Sequence, residues 1–358
     1  MDFTPTEEQS AAQQLAARIF GDLATPDRLA AAAGGSDAAL WKALCTAGLP
    51  AAVEDIGLLG LALVLEEQGR RTAPVPLAAT CAYGVLPLAR HGTDAQRQRL
   101  LPGLRDGTIV ATGALLPAGA VRAAADAEGD GGRLTGVVPW VPWVREASHV
   151  LVADADTVLW WVPVSGSEAR IEPVELTAPW AAGRLVLDGA RAERIGDRDG
   201  RAYPGVLAAS RIAFAALQAG VCAGSLAHAV AHTTTREQFG RPLCTHQGVQ
   251  LRAADAHMDT EAIRVTTYEA AWRYDEQLPC AGHALTAAWW ASEAGTRVVH
   301  TGQHLHGGLG AALDHPVHRH FLWGRQLDAY LGSGARLLEE LGEVIVDAQP
   351  GGAPSSRS

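Results

Sequence analysis

Short runs rich in β-branched and aromatic residues are confined to one stretch of about ninety residues, with long helical periodicity on either side of it. Segments 109–111, 134–138, 149–152, 158–162 and 184–187 read as strands, separated by turn chemistry such as Gly129-Asp130-Gly131-Gly132 and Asp188-Gly189. Before them, Thr4-Pro5-Thr6-Glu7-Glu8 reads as a helix start with Thr4 as cap, and helices are expected at 37–47, at 57–68 and from Asp94. After Tyr203-Pro204, four long helices are expected at about 205–236, 246–276, 282–304 and 316–347. The pattern predicts a mainly α chain with a central β module. Its parts are an N-terminal helical domain (1–106), a middle β-barrel or sandwich domain (107–198), a C-terminal four-helix bundle (199–348) and a disordered tail (349–358).

Composition narrows the partners. With 29 basic against 39 acidic residues the formal charge is −10, which argues against a nucleic-acid binder. Five cysteines lie scattered without CxxC spacing, as expected of a reduced, cytoplasmic protein, and the opening residues carry no signal-peptide pattern. The uncharged run 212–231 contains Gln218, Ser225 and His228. It reads as too weakly apolar for a membrane span and better as a helix buried inside protein.

Neither GxGxxG after a strand, nor GxxxxGK[ST], nor GxSxG occurs. His300, His304, His306, His315, His318 and His320 crowd one region. A metal reading rests on His300 and His304 sharing a helix face, but only Asp314 is at hand to complete a ligand set. The preferred reading is a buried turn between a helix ending at Gly307-Gly308 and one starting near Pro316, with no metal. Two stretches say more: Thr235-Arg236-Glu237-Gln238-Phe239-Gly240-Arg241-Pro242, and His304-Leu305-His306-Gly307-Gly308-Leu309-Gly310. Arg236 before a Gly-x-Pro turn suits a phosphate, and the glycines permit close backbone approach; each stretch taken alone also reads as an ordinary helix end.

Together, in this α–β–α order, they resemble the acyl-CoA dehydrogenase family, and the resemblance runs from Phe3-Thr4-Pro5-Thr6-Glu7-Glu8-Gln9 to the last helix. Within the family the chain is most similar to a base-lacking subunit of the heteromeric actinobacterial enzymes of sterol side-chain degradation. The resemblance implies FAD shared at a subunit interface, α,β-desaturation of an acyl-CoA thioester, and electron delivery to an electron-transfer flavoprotein. It places Arg236 on the FAD diphosphate, with Gln238, Phe239, His246, Gln247, His304, Gly307 and Gly308 around the same cofactor.

It also exposes departures. The family's glutamate base stands at one of two positions, occupied here by Ser210 and Leu331, neither of which serves as a proton acceptor. The flavin loop becomes Leu115-Leu116-Pro117-Ala118-Gly119, and Trp-x-Thr becomes Trp140-Val141-Pro142, leaving Trp140 either a flavin contact or β-module core. The expectation is therefore a non-catalytic partner within a heterotetramer whose sister subunit carries the glutamate, acting on a bulky, steroid-like CoA thioester. Two alternatives stay open: a self-sufficient flavoprotein with a displaced base such as Asp328, and a scaffold that binds no cofactor.

Overall fold

The computed structural model describes residues 2–31, 35–116, 119–126, 129–313 and 315–347. Its first layer is helical: α1 (Glu7–Leu23), α2 (Pro26–Ala31), α3 (Ala38–Thr46), α4 (Leu49–Arg71), α5 (Leu77–Thr80), a π-helical turn Cys81–Val85, α6 (Leu86–His91) and α7 (Asp94–Asp106). The first helix starts two residues later than Thr4 would place it. Thr6 Oγ1 accepts from the Gln9 N–H at 3.2 Å while Gln9 Oε1 accepts from the Thr6 N–H at 3.0 Å, and this reciprocal pair outweighs a lone Thr-Pro cap. Helix α4 is kinked at Gly57 (φ 69°), where the freed Leu58 and Leu59 N–H groups are capped by the Asp275 carboxylate at 2.8 and 2.9 Å.

The second layer is one curled seven-stranded sheet: β1 (Ala111–Ala114), β2 (Val121–Ala125), β3 (Gly131–Val141), β4 (His149–Ala153), β5 (Leu159–Pro163), β6 (Ala169–Pro173) and β7 (Gly183–Ile195). Its order is β1-β4-β5-β7-β3-β2, with β6 also paired to the long β7. Only β1–β4 is parallel; the rest is antiparallel. Strands β2 and β6 escape the sequence reading because Val-Arg-Ala-Ala-Ala and Ala-Arg-Ile-Glu-Pro carry few β-branched residues.

The third layer is the bundle: α8 (Ala202–Thr235), a hairpin β8 (Glu237–Gln238) and β9 (Arg241–Pro242), α9 (Gln247–Asp275), α10 (Ala281–His306), α11 (Pro316–Leu331) and α12 (Gly334–Asp347). The expected fourth helix is two, broken at Gly332 (φ 111°) and Ser333 (φ 67°), a left-handed stop that reorients α12. Helix α8 is long and apolar enough to cross a membrane, contrary to the sequence reading, and its apolarity is spent inside the protein: 83% of its most apolar window is buried. Helices α4 and α8 cross closely. A Cβ on Gly69 would meet Leu217 O at 2.1 Å, and one on Gly220 would meet Glu66 O at 2.1 Å, so neither helix accepts a side chain there. This crossing fixes the N-terminal helices against the bundle.

Candidate cofactor and partner site

Ser210 and Leu331 lie 121 positions apart yet line the same cavity, of about 270 Å³. Leu115, Leu116 and Trp140 come to it from the sheet side, Tyr83 from the π-helical turn, and Arg336 and Glu340 from α12. Trp140 is half-buried and meets Tyr330 edge-on at 5.6 Å, so it is a chamber wall and not part of the sheet core. Of the loop 115–119, Pro117 and Ala118 lie outside the described residues, as does Asp314.

The chamber is filled by its own side chains. The Tyr83 and Tyr330 hydroxyls hydrogen-bond to each other, and burial holds both above the ordinary tyrosine range, so both stay protonated. Phe214 packs edge-on to Tyr330 at 4.4 Å, and a Cβ on Gly113 would strike the Tyr83 ring at 2.3 Å. Behind them Trp143 stacks on Trp180 at 4.7 Å, and Trp180 meets Trp323 at 5.5 Å. What remains, about 270 Å³, lies at the low edge of the roughly 300–1,000 Å³ typical of ligand sites. Nor is a base aimed into it: Ser210 Oγ donates to Leu207 O at 2.8 Å, back onto its own helix.

Asp328 does not line the chamber. Its carboxylate accepts from Ser292 Oγ on α10 and faces Arg325 at 3.7 Å, so the displaced-base role considered for it has no geometric support. The acid that does line the chamber is Glu340, which the sequence reading missed. Both its oxygens are engaged, Oε2 by Arg211 and Oε1 by Arg336 Nε at 3.2 Å. On sequence, Arg336 and Glu340 read as a solvated i,i+4 pair, which hides the chamber role.

The phosphate motif lies elsewhere. Arg236 caps the far end of α8, 25 residues beyond Arg211, which at 1.5 Å per residue is about 37 Å. Arg236, Gln238 and Gln247 are exposed, and the hairpin β8–β9 turns through Phe239 (φ 56°) and Gly240 (φ 79°), both left-handed as a two-residue turn of this type requires. Phe239 stands 90% exposed at the tip, a strained and unburied aromatic. His246 sits beside it at 6.0 Å, its Nδ1 facing Arg241 Nη2 at 3.2 Å and its buried Nε2 without a partner among the described residues. His304 is exposed on α10, and among the described residues nothing lies within 4 Å of where a Cβ on Gly307 or Gly308 would stand.

The two motifs are brought together by a ring contact: His232, one turn before Arg236, stacks on His306, immediately before Gly307, at 4.6 Å. His306 in turn meets His315 at 4.8 Å. The sequence reading counted the histidines of 300–320 but not His228 and His232, because α8 read as an apolar core helix. Among the described residues no group of three or more side chains converges as a metal site. The outward face therefore fits a diphosphate: an exposed guanidinium with no acid partner among the described residues, open glycine backbone, an exposed aromatic and an orphaned imidazole nitrogen.

A helical layer, a curled sheet and a helical bundle enclosing a chamber define the acyl-CoA dehydrogenase fold. Residues 6–108 match that family's N-terminal domain and residues 201–346 its C-terminal domain. Acyl-CoA dehydrogenase FadE27 of Mycobacterium tuberculosis is 32% identical, covering 97% of this chain and 99% of the relative, and FadE28 of the same organism is 26% identical over 96% and 98%. Among solved structures, a variant of the Tcur3481-Tcur3483 steroid ACAD superimposes with a TM-score of 0.90 at 40% identity, covering 95% of this chain and 98% of that one. The ChsE4-ChsE5 complex from Mycobacterium tuberculosis does so with a TM-score of 0.90 at 30% identity, over 98% and 100%. The chain belongs to the acyl-CoA dehydrogenase family.

Proposed function

We propose that this chain is the base-lacking subunit of a cytoplasmic, heteromeric FAD-dependent acyl-CoA dehydrogenase, and that a sister subunit carries the catalytic glutamate. The observation that carries the reading is the layout of α8. One end closes a chamber with no available base, while the other presents Arg236 outward, about 37 Å away, too far to serve that chamber. A cofactor held by Arg236 needs its remaining walls from another polypeptide. The flavin supplies the hydride acceptor for Cβ of the thioester, and its electrons go on to an electron-transfer flavoprotein. This chain's part is to grip: Arg236 neutralises the diphosphate, Phe239 covers the cofactor, and Gly307 and Gly308 let the backbone pass close. The similarity to a steroid ACAD and to a two-component complex supports a bulky, steroid-type CoA thioester and an assembly with a sister subunit.

The test is co-expression with an adjacent acyl-CoA dehydrogenase-like gene, followed by native mass spectrometry and flavin quantitation. The reading expects a heteromer that loses most of its FAD in Arg236→Ala, and an isolated chain that is colourless and inactive. An isolated chain that is yellow and oxidises an acyl-CoA overturns it.

A further inference from the structure

We propose that His232, His306 and His315 form a proton-accepting floor beneath the cofactor's diphosphate, so that this face takes up the anion and a proton together. The inference rests on the cofactor reading above and adds a coupling to it. The three rings form a continuous column, His232 on His306 at 4.6 Å and His306 on His315 at 4.8 Å. The column has a defined neutral form: His306 Nδ1 donates to Gly302 O at 2.7 Å, which leaves its Nε2 a lone pair, and His315 Nδ1 accepts from the Val317 N–H at 3.3 Å. One end of the column and its middle ring each adjoin a phosphate-facing element, since the Arg236 N–H donates to His232 O at 2.9 Å and Gly307 follows His306 directly.

The electrostatics of the site favour a bound anion. His232 ends α8 and His306 ends α10, where the helix dipoles favour an imidazolium. Among the described residues, the neighbours acting on His228 and His232 disfavour a proton there: His306 and His315 on both, with Arg71 from α4 on His228 and Arg236 on His232. The remaining neighbour, His320 on α11, meets His228 at 5.1 Å and is itself held near 4 by burial. Burial first, then these neighbours, hold His228 and His232 below the ordinary histidine range. A dianion at Arg236 reverses the balance, and a proton drawn from solvent settles on Nε2 of His306 or on His232.

The experiment uses the heteromer and FAD itself, whose diphosphate diester has no titrating proton near neutrality. FAD affinity is measured by fluorescence from pH 6 to 8, and binding enthalpy is measured in buffers of different ionisation enthalpy. The expected result is proton uptake on binding, with affinity falling by up to about tenfold per pH unit for one linked proton. His306→Asn, which keeps a donor for Gly302 O, and the more exposed His232→Gln are each expected to flatten the profile. Arg236-dependent FAD binding that is unchanged from pH 6 to 8, with no buffer-dependent enthalpy, overturns the inference and leaves the cofactor reading standing. FAD content that is insensitive to Arg236→Ala removes the cofactor reading, and this inference with it.

Discussion

Ser210 and Leu331 face one another's space: both line the chamber that the Tyr83–Tyr330 pair fills. Restoring an acid at either position therefore restores a residue but not a reaction site. Leu331→Glu is expected to give an isolated chain with no detectable acyl-CoA oxidation and no retained flavin. Leu331 is 4% exposed, so the new carboxylate costs about 1–3 kcal/mol, read as a lower urea midpoint. A yellow, active Leu331→Glu homomer would show that the chamber opens after all.

The pair between Arg211 and Glu340 holds α12 across the chamber mouth, with side-chain exposures of 10% and 27%. Removing one partner strands the other, so Glu340→Ala is expected to destabilise by about 2–3 kcal/mol, below the full cost of breaking a buried pair because Glu340 is partly solvated. Replacing both, as Arg211→Met with Glu340→Leu, is expected to cost less than Glu340→Ala alone. Denaturant titration of Glu340→Ala, of the double variant and of its two component single variants measures this. A double variant as unstable as the sum of the singles would count against it.

The helix–sheet–helix order was legible because a period of 3.6 gives way to short β-branched runs and then returns. The break between α11 and α12 was legible in principle from Gly332, yet the apolar periodicity runs on past it into Leu337 and Leu341 and masks the stop. Arg236 and Gly307-Gly308 could be singled out by their motifs. What joins them could not, because the His232–His306 stack depends on how α8 and α10 pack. Glu340 stayed hidden for the same reason: an i,i+4 partner of arginine reads as surface until α12 is known to turn back over the chamber. Ser210 and Leu331 were identified only through family resemblance, since a serine beside an arginine and a leucine after a tyrosine carry no signal of their own.

Phe239 offers a test in which stability and assembly move in opposite directions. At φ 56° and 90% exposed, it pays backbone strain without burying its ring. Phe239→Gly is expected to stabilise the isolated chain by about 1 kcal/mol by relieving the left-handed strain. In the heteromer the same change removes an aromatic anchor and is expected to weaken FAD retention by about tenfold. Thermal unfolding of the lone chain and flavin release from the heteromer measure the two effects. Unchanged retention would make the exposed ring irrelevant to the shared site.

Glu66 on α4 and Arg264 on α9 tie the N-terminal helices to the bundle, with Nε to Oε2 at 3.0 Å and Glu66 1% exposed. Burial lifts the Glu66 carboxyl above the ordinary carboxylate range, and Arg264 pulls it back. A folded-state pKa above the unfolded one means that the folded chain binds the proton more readily. The ionised form therefore burdens stability above the folded pKa, and the burden is relieved as pH falls toward the unfolded value. Arg264→Ala removes the opposing charge and raises the folded pKa further. The variant is expected to lose about 3–5 kcal/mol at pH 8, with the gap to wild type narrowing by up to ~1.4 kcal/mol per pH unit toward pH 5. In the Glu66→Gln background the same substitution has no carboxylate to strand, so its cost should be smaller and flat across that range. Urea midpoints at pH 8, 7, 6 and 5 for the four proteins decide the matter: a constant gap between Arg264→Ala and wild type would mean that the loss comes from packing of the guanidinium and not from the stranded charge.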